Sequence, residues 1–179
     1  AALHDQCDDV VPVTVINAAW EGDRENLVRP FPKLDLRWVS WAEAATCVAA
    51  RPASWWAVIA SGVELHAGAL ARFAKAAAET GAEFLYSDHE YRRGSKLTPV
   101  FKPSWSPLLL ERVNYVGGAW VARGRNLVDS LIQASPDVAA HSSYSVLRAM
   151  ERNLFRVAHI PEVLHLSTAP ERALPRKMV

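Results

Sequence analysis

Asp88 and Glu90 place two carboxylates in the short segment Ser87-Asp88-His89-Glu90. A carboxylate pair can hold a hard divalent cation through its oxygens or accept a hydrogen bond from a substrate hydroxyl. The same segment also suits a turn after a strand, where Asp commonly bonds nearby backbone amides. Further along, Lys102, Trp105, Asn114 and Tyr115 supply an ammonium, an amide and two aromatic groups. An aromatic face stacks on the apolar side of a pyranose, and amide and ammonium groups bond its hydroxyls. The competing assignment is that Pro103, Trp105 and Pro107 brace an irregular crossover. Gly117-Gly118 then marks positive φ or a close backbone approach, to a ligand or to packed side chains.

Other chemistry-bearing types add less. His66 opens a predicted helix, His89 stands between the two carboxylates, and His159 and His165 flank the last strand, none paired with another at metal-ligand spacing. Cys7 and Cys47 form no Cys-x-x-Cys pair, which argues against both a zinc site and a disulfide framework. Twenty basic against nineteen acidic side chains give a formal charge of +1 with no long run of either sign. That balance excludes the basic stripe of a nucleic-acid binder and the polybasic patch of a membrane-surface binder. No run of about 18 apolar residues offers a membrane span, and the start lacks the charged, apolar and small-residue order of a signal peptide. A soluble, cytoplasmic chain is expected, with membrane association only through other domains.

The elements that must position these groups alternate between strand and helix. Val11–Ile16 is a β-branched run closed by Asn17-Ala18-Ala19, and Leu34–Val39 alternates apolar and polar residues. Ala42 to Arg51 is Ala-rich without a breaker until Pro52, which predicts a helix. Trp55–Ala60 reads as a central parallel strand. Leu70, Phe73, Ala74 and Ala77 recur at helical spacing between His66 and Thr80, with Gly81 as the cap. Glu83–Tyr86 is a strand leading into the Ser87–Glu90 turn. Prolines bar helix before Leu108, and Ala119–Arg123 is a strand. Helices over roughly 126–133 and 143–153 and a strand around 156–160 complete the chain. Trp38, Trp41, Trp55 and Trp56 fall inside predicted strands or helix starts, so core packing accounts for them first. The expected fold class is α/β, a mainly parallel sheet flanked by helices. At 179 residues and half hydrophobic, the chain suits a single domain over residues 1–179. The missing initial Met and the abrupt end at Arg176-Lys177-Met178-Val179 suggest a piece of a longer protein.

Three linked segments carry a resemblance: Phe84-Leu85-Tyr86-Ser87-Asp88-His89-Glu90, then Pro99-Val100-Phe101-Lys102-Pro103-Ser104-Trp105-Ser106-Pro107, then Asn114-Tyr115-Val116-Gly117-Gly118. They are similar to the Tyr-Ser-Asp, Phe-Lys-Pro-x-Trp-Ser-Pro and Asn-Tyr-x-Gly segments of family 2 glycosyltransferases of bacterial polysaccharide and O-antigen assembly. Val157-Ala158-His159-Ile160-Pro161-Glu162-Val163-Leu164 resembles the closing His-Ile-Pro-x-Val-Leu strand of that family. The resemblance covers about Leu3 to His165 and implies a GT-A, Rossmann-like sheet and a nucleotide-sugar donor.

The resemblance also implies carboxylates that this chain lacks. Family members bind Mg²⁺ or Mn²⁺ through an Asp-rich turn after the strand matched by Trp55–Ala60, and the metal neutralises charge on the departing diphosphate. Here the turn reads Ala60, Ser61, Gly62 and Val63. The segment expected to supply the acceptor-activating base becomes His141, Ser142, Ser143 and Tyr144, in which His141 alone could take a proton near neutral pH. The Asp-Asp-Gly-Ser expected after the second strand becomes Asn17-Ala18-Ala19-Trp20, an alignment that puts the first strand before Ala1 and leaves Val13–Ile16 as an edge suited to dimerisation. No bound metal is therefore expected. The leading expectation is a catalytically degenerate glycosyltransferase-like domain acting as scaffold, docking module or weak sugar binder, its partners a nucleotide-sugar or glycan and other domains of the same protein. The alternative is a divergent active glycosyltransferase using Asp88 or Glu90.

Overall fold

The computed structural model describes residues 11–16, 34–60, 62–133, 143–151 and 156–168. The expected turn at Asn17–Ala19, and Ser61, His141 and Ser142, lie outside them. Strands β1 (Val11–Ile16) and β2 (Leu34–Val39) form a parallel pair. Helix α1 (Trp41–Ala49) starts one residue earlier than its Ala-rich run predicts because Ser40 and Glu43 make a capping box. The Ser40 Oγ accepts from the Glu43 N–H at 3.3 Å, and the Glu43 carboxylate accepts from the Ser40 N–H at 2.7 Å.

Strands β3 (Trp55–Ile59), β4 (Val63–Leu65), β5 (Phe84–Arg93), β6 (Lys96–Val100), β7 (Ala119–Arg123) and β8 (Val157–Ser167) form the main sheet, in the order β3-β7-β5-β8-β4, with β6 also paired to β5. The layered α/β class is the expected one, but the strand directions are not mainly parallel. In this sheet β5–β8 is parallel, and β3–β7, β5–β7, β5–β6 and β4–β8 are antiparallel. Strand β3 is outermost rather than central, with Ala57 and Ile59 exposed and Trp56 and Val58 half-buried. An apolar run of five residues does not report strand direction, and a run covered on one face can look the same as one covered on both.

Alternation along β5 divides the core into two layers. Phe84 and Tyr86 face Trp120, Ala122, Leu110, Tyr115 and the helices α1, α4 (Gly124–Gln133) and α5 (Ser143–Met150). Leu85 faces Val121, Ile160 and Phe73 of α2 (Ala69–Thr80) on the other side. Fully burying one such large side chain contributes roughly 1.5–3 kcal/mol. Helix α2 ends at Gly81, whose φ of 62° is the left-handed cap its position predicts. Its buried face is Ala69, Phe73 and Ala76, with Leu70 and Ala77 at the edge and Ala74 exposed, and it starts after the left-handed Gly68 rather than at His66. A short helix, α3 (Pro107–Leu110), begins at Pro107 with Ser106 as its cap.

The segment Ser87–Glu90 is not a turn. Strand β5 runs through it to Arg93, and the chain reverses at Gly94-Ser95, where Gly94 has φ 61°. What resembles a turn in sequence is regular strand opposite a β-bulge in β8: the β5–β8 register breaks between Ser87 and Asp88 and again between Asp88 and His89, with the extra residues on β8. The same break lets β8 continue well past Ile160, since Ser87 pairs with Ile160 and Asp88 with Val163, leaving Pro161 and Glu162 out of the ladder. The missing N–H of Pro161 therefore breaks no ladder hydrogen bond. Pro99 is tolerated for a related reason, standing on β6, which pairs only with β5 among the described residues.

Candidate functional site

Asp88 lies on β5 in the middle of the sheet, opposite the bulge of β8, and is 2% exposed. Its Oδ1 accepts the Lys102 backbone N–H at 2.8 Å and lies 2.7 Å from His159 Nε2. A carboxylate oxygen has no hydrogen to give, so the ring nitrogen facing it donates and Asp88 fixes His159 with Nε2 protonated. His159 also stacks on Tyr86, ring centroids 4.9 Å apart and planes 19° apart, as their pairing across β5 and β8 dictates. The Tyr86 hydroxyl donates to the Pro103 carbonyl at 2.7 Å, and burial pushes its pKa up from the usual phenol value.

Lys102 is buried and its Nζ donates to the Val116 carbonyl at 2.6 Å, directly beneath the glycine pair. Gly117 has φ 81°, and a Cβ there would lie 3.2 Å from Lys102 Nζ. Asn114 sets up this conformation by accepting the Gly117 N–H at 3.1 Å. Gly118 approaches the turn between β3 and β4. A Cβ on it would meet Val63 Cγ2 at 2.8 Å and Ala60 Cβ at 3.1 Å, and its carbonyl accepts the Ala60 N–H at 2.7 Å. Trp105 and Tyr115 join the aromatic layer around Phe84 and Tyr86, with Trp105 5.6 Å from Phe84 and 6.2 Å from Tyr86 between centroids. The Tyr115 hydroxyl accepts the Ser106 N–H at 2.7 Å.

Seven of the eight sequence-selected positions therefore meet in one chain of contacts: Trp105, Tyr115, Asp88, Lys102, Asn114, Gly117 and Gly118. Glu90 stands apart, its Oε1 3.0 Å from His66 Nε2. Sequence reasoning gave the histidines little weight, yet His159 completes the Asp88 pair. His89 and His165 stack at 5.2 Å in the interior, where the Ser87 hydroxyl lies 3.4 Å from His165 Nδ1. Burial first, then the positive charges of Lys102, His89 and His66, pushes the His165 pKa down to about 2. Period-two spacing along β8 would have put His159 and His165 on strand faces, but their partners on β5 depend on a bulge that no local pattern announces. Among the described residues, no group of three or more His, Cys, Asp and Glu side chains converges to hold a metal ion, and no helix is long and apolar enough to cross a membrane.

No family model and no curated protein matches the chain. Solved structures do. The S. aureus TarS 1-349 crystal structure aligns at TM-score 0.65 and 13% identity over 94% of this chain and 55% of that one. Its complex with UDP aligns at 0.66 and 12%, covering 93% and 54%. Its complex with UDP-GlcNAc aligns at 0.69 and 12%, covering 96% and 54%. At such identity the likeness carries the fold, and that fold, a mixed sheet flanked by helices, is the GT-A glycosyltransferase fold. The chain spans about half the length of these TarS chains.

Proposed function

We propose that this is a glycosyltransferase-like domain of the family 2 kind, catalytically degenerate, serving a glycan-assembly protein as a scaffold or weak sugar binder. The observation that carries the reading is the turn from β3 to β4. Residues 60–63 contain no carboxylate, and Ala60 and Val63 pack their side chains against Gly118. A diphosphate-bound Mg²⁺ or Mn²⁺ needs oxygen ligands at that point, and methyl groups supply none. Asp88 does not make good the loss, because it is buried and its Oδ1 already serves two donors.

The UDP and UDP-GlcNAc found with TarS name the probes. Calorimetric titration of the chain with each, with and without Mn²⁺, is expected to show no metal-dependent binding. Metal-dependent binding in the micromolar range overturns the reading and returns attention to Glu90, the motif carboxylate that remains partly exposed.

A further inference from the structure

The Asp88–His159 pair has the form of a proton-accepting dyad. A buried carboxylate accepts the Nε2–H hydrogen bond, a parallel tyrosine ring fixes the plane of the imidazole, and Nδ1 is the ring nitrogen left for a second partner. The His159 side chain keeps 16% exposure against 3% for Asp88, so water reaches the ring and hardly reaches the carboxylate. Among the described residues Nδ1 makes no hydrogen bond, and it is not among the buried polar atoms left without one. The interior pair His89 and His165 differs in this respect, since both rings are fully buried.

We propose that His159 Nδ1 is a binding position for a saccharide hydroxyl, which donates its hydrogen to the ring while Asp88 holds the tautomer. A hydroxyl donor suits the position better than an anion, which would sit in line with the Asp88 carboxylate behind the ring. The aromatic layer of Tyr86, Trp105 and Tyr115 lies beside the dyad, and the half-buried Trp105 offers the apolar contact that a pyranose needs. The inference rests on the reading of the domain as a sugar binder and names where the sugar sits.

Long-range ¹H–¹⁵N correlation spectra of histidine-labelled protein test it, with the His159 signals assigned by their loss in His159→Gln. In the free protein Nε2 is expected to carry the proton. Titration with N-acetylglucosamine or UDP-GlcNAc is expected to move the Nδ1 resonance saturably, and Asp88→Asn to weaken the apparent affinity about tenfold. A proton on Nδ1, or an Nδ1 signal unmoved by both sugars, overturns the proposal. If Asp88→Asn does not fold, the wild-type titration alone decides. The metal-dependent UDP titration separates the two readings: metal-dependent UDP binding together with a moving His159 overturns degeneracy and keeps the dyad, whereas no UDP binding with a still His159 keeps degeneracy and overturns the dyad.

Discussion

Replacing Asp88 by Ala should cost far more than a turn carboxylate would. In the structure Asp88 Oδ1 accepts from the buried Lys102 N–H at 2.8 Å and from His159 Nε2 at 2.7 Å. A hydrogen bond to a charged group contributes roughly 1.5–3 kcal/mol, and a buried donor left without its acceptor keeps its full desolvation cost. The Lys102 amide falls at the upper end and His159, which retains some contact with water, at the lower end, for a total of about 3–5 kcal/mol. A chain of this length loses about 2–4 °C in Tm per kcal/mol, so Tm should fall on the order of 10 °C. Urea denaturation followed by circular dichroism measures it, the midpoint moving while the slope stays constant. The double-mutant cycle with His159→Phe should show coupling of about 1 kcal/mol or more. A loss below about 1 kcal/mol with an unchanged slope refutes the reasoning and restores Ser87–Glu90 to a solvated turn.

Three further outcomes follow from single residues. Gly118→Ala should destabilise by about 2 kcal/mol, since its Cβ would sit 2.8 Å from Val63 Cγ2; Gly94→Ala, with φ 61° but open space around it, should lose only about 1 kcal/mol of backbone strain, and equal losses in thermal melts would remove the packing argument. His165 is held neutral with its pKa pushed down to about 2, so the unfolded chain takes up the proton first and stability falls as pH drops below the ordinary His value of 6.5. That loss is at most about 1.4 kcal/mol per pH unit, and His165→Leu should flatten the urea-stability profile between about pH 6.5 and 5, where carboxylates stay ionised. Glu83 is held below the ordinary carboxylate value, first by the Asn126 hydrogen bond and then by Arg125, so its contribution is present above about pH 4.5 and is lost as pH falls through its lowered pKa. Asn126→Ala should move the acid-side loss toward ordinary carboxylate pH, and an unmoved acid transition would exclude Asn126 as the cause.

Element types were largely legible because they depend on local signals. The Gly81 cap and the Gly117-Gly118 entry into β7 are each set by residues adjacent in sequence, whereas α3 starts at Pro107, one residue before the Leu108 that its prolines predict, because a proline in the first turn loses no helical hydrogen bond. Strand direction was not, since antiparallel β3–β7 and parallel β5–β8 join segments far apart in the chain. The extent of β5 was misread for a definite reason. Ser, Asp, His and Glu in a row satisfy every compositional signal for a turn, and a central strand can bury Ser87 and Asp88 only when distant groups supply partners: the Lys102 amide, the His159 ring and the His165 ring. Those partners come from segments 14, 71 and 78 residues away, which leaves no trace in a local window.

The same contacts explain why a family likeness can be plain in sequence while chemistry is open. Asp88 anchors the Lys102 segment, Lys102 seats the Val116 carbonyl, Asn114 shapes the Gly117 turn and Tyr115 holds the Ser106 amide. Each of these motif residues has work to do in the fold whether or not sugar is ever transferred. The 60–63 turn is of another kind: it holds no carboxylate, and a charged side chain there would cost solvation with no cation beside it. Ala60 and Val63 let Gly118 close against the turn, so the side chains present at this point serve packing. A motif of this sort reports the fold, and only the residues without a packing role report the reaction.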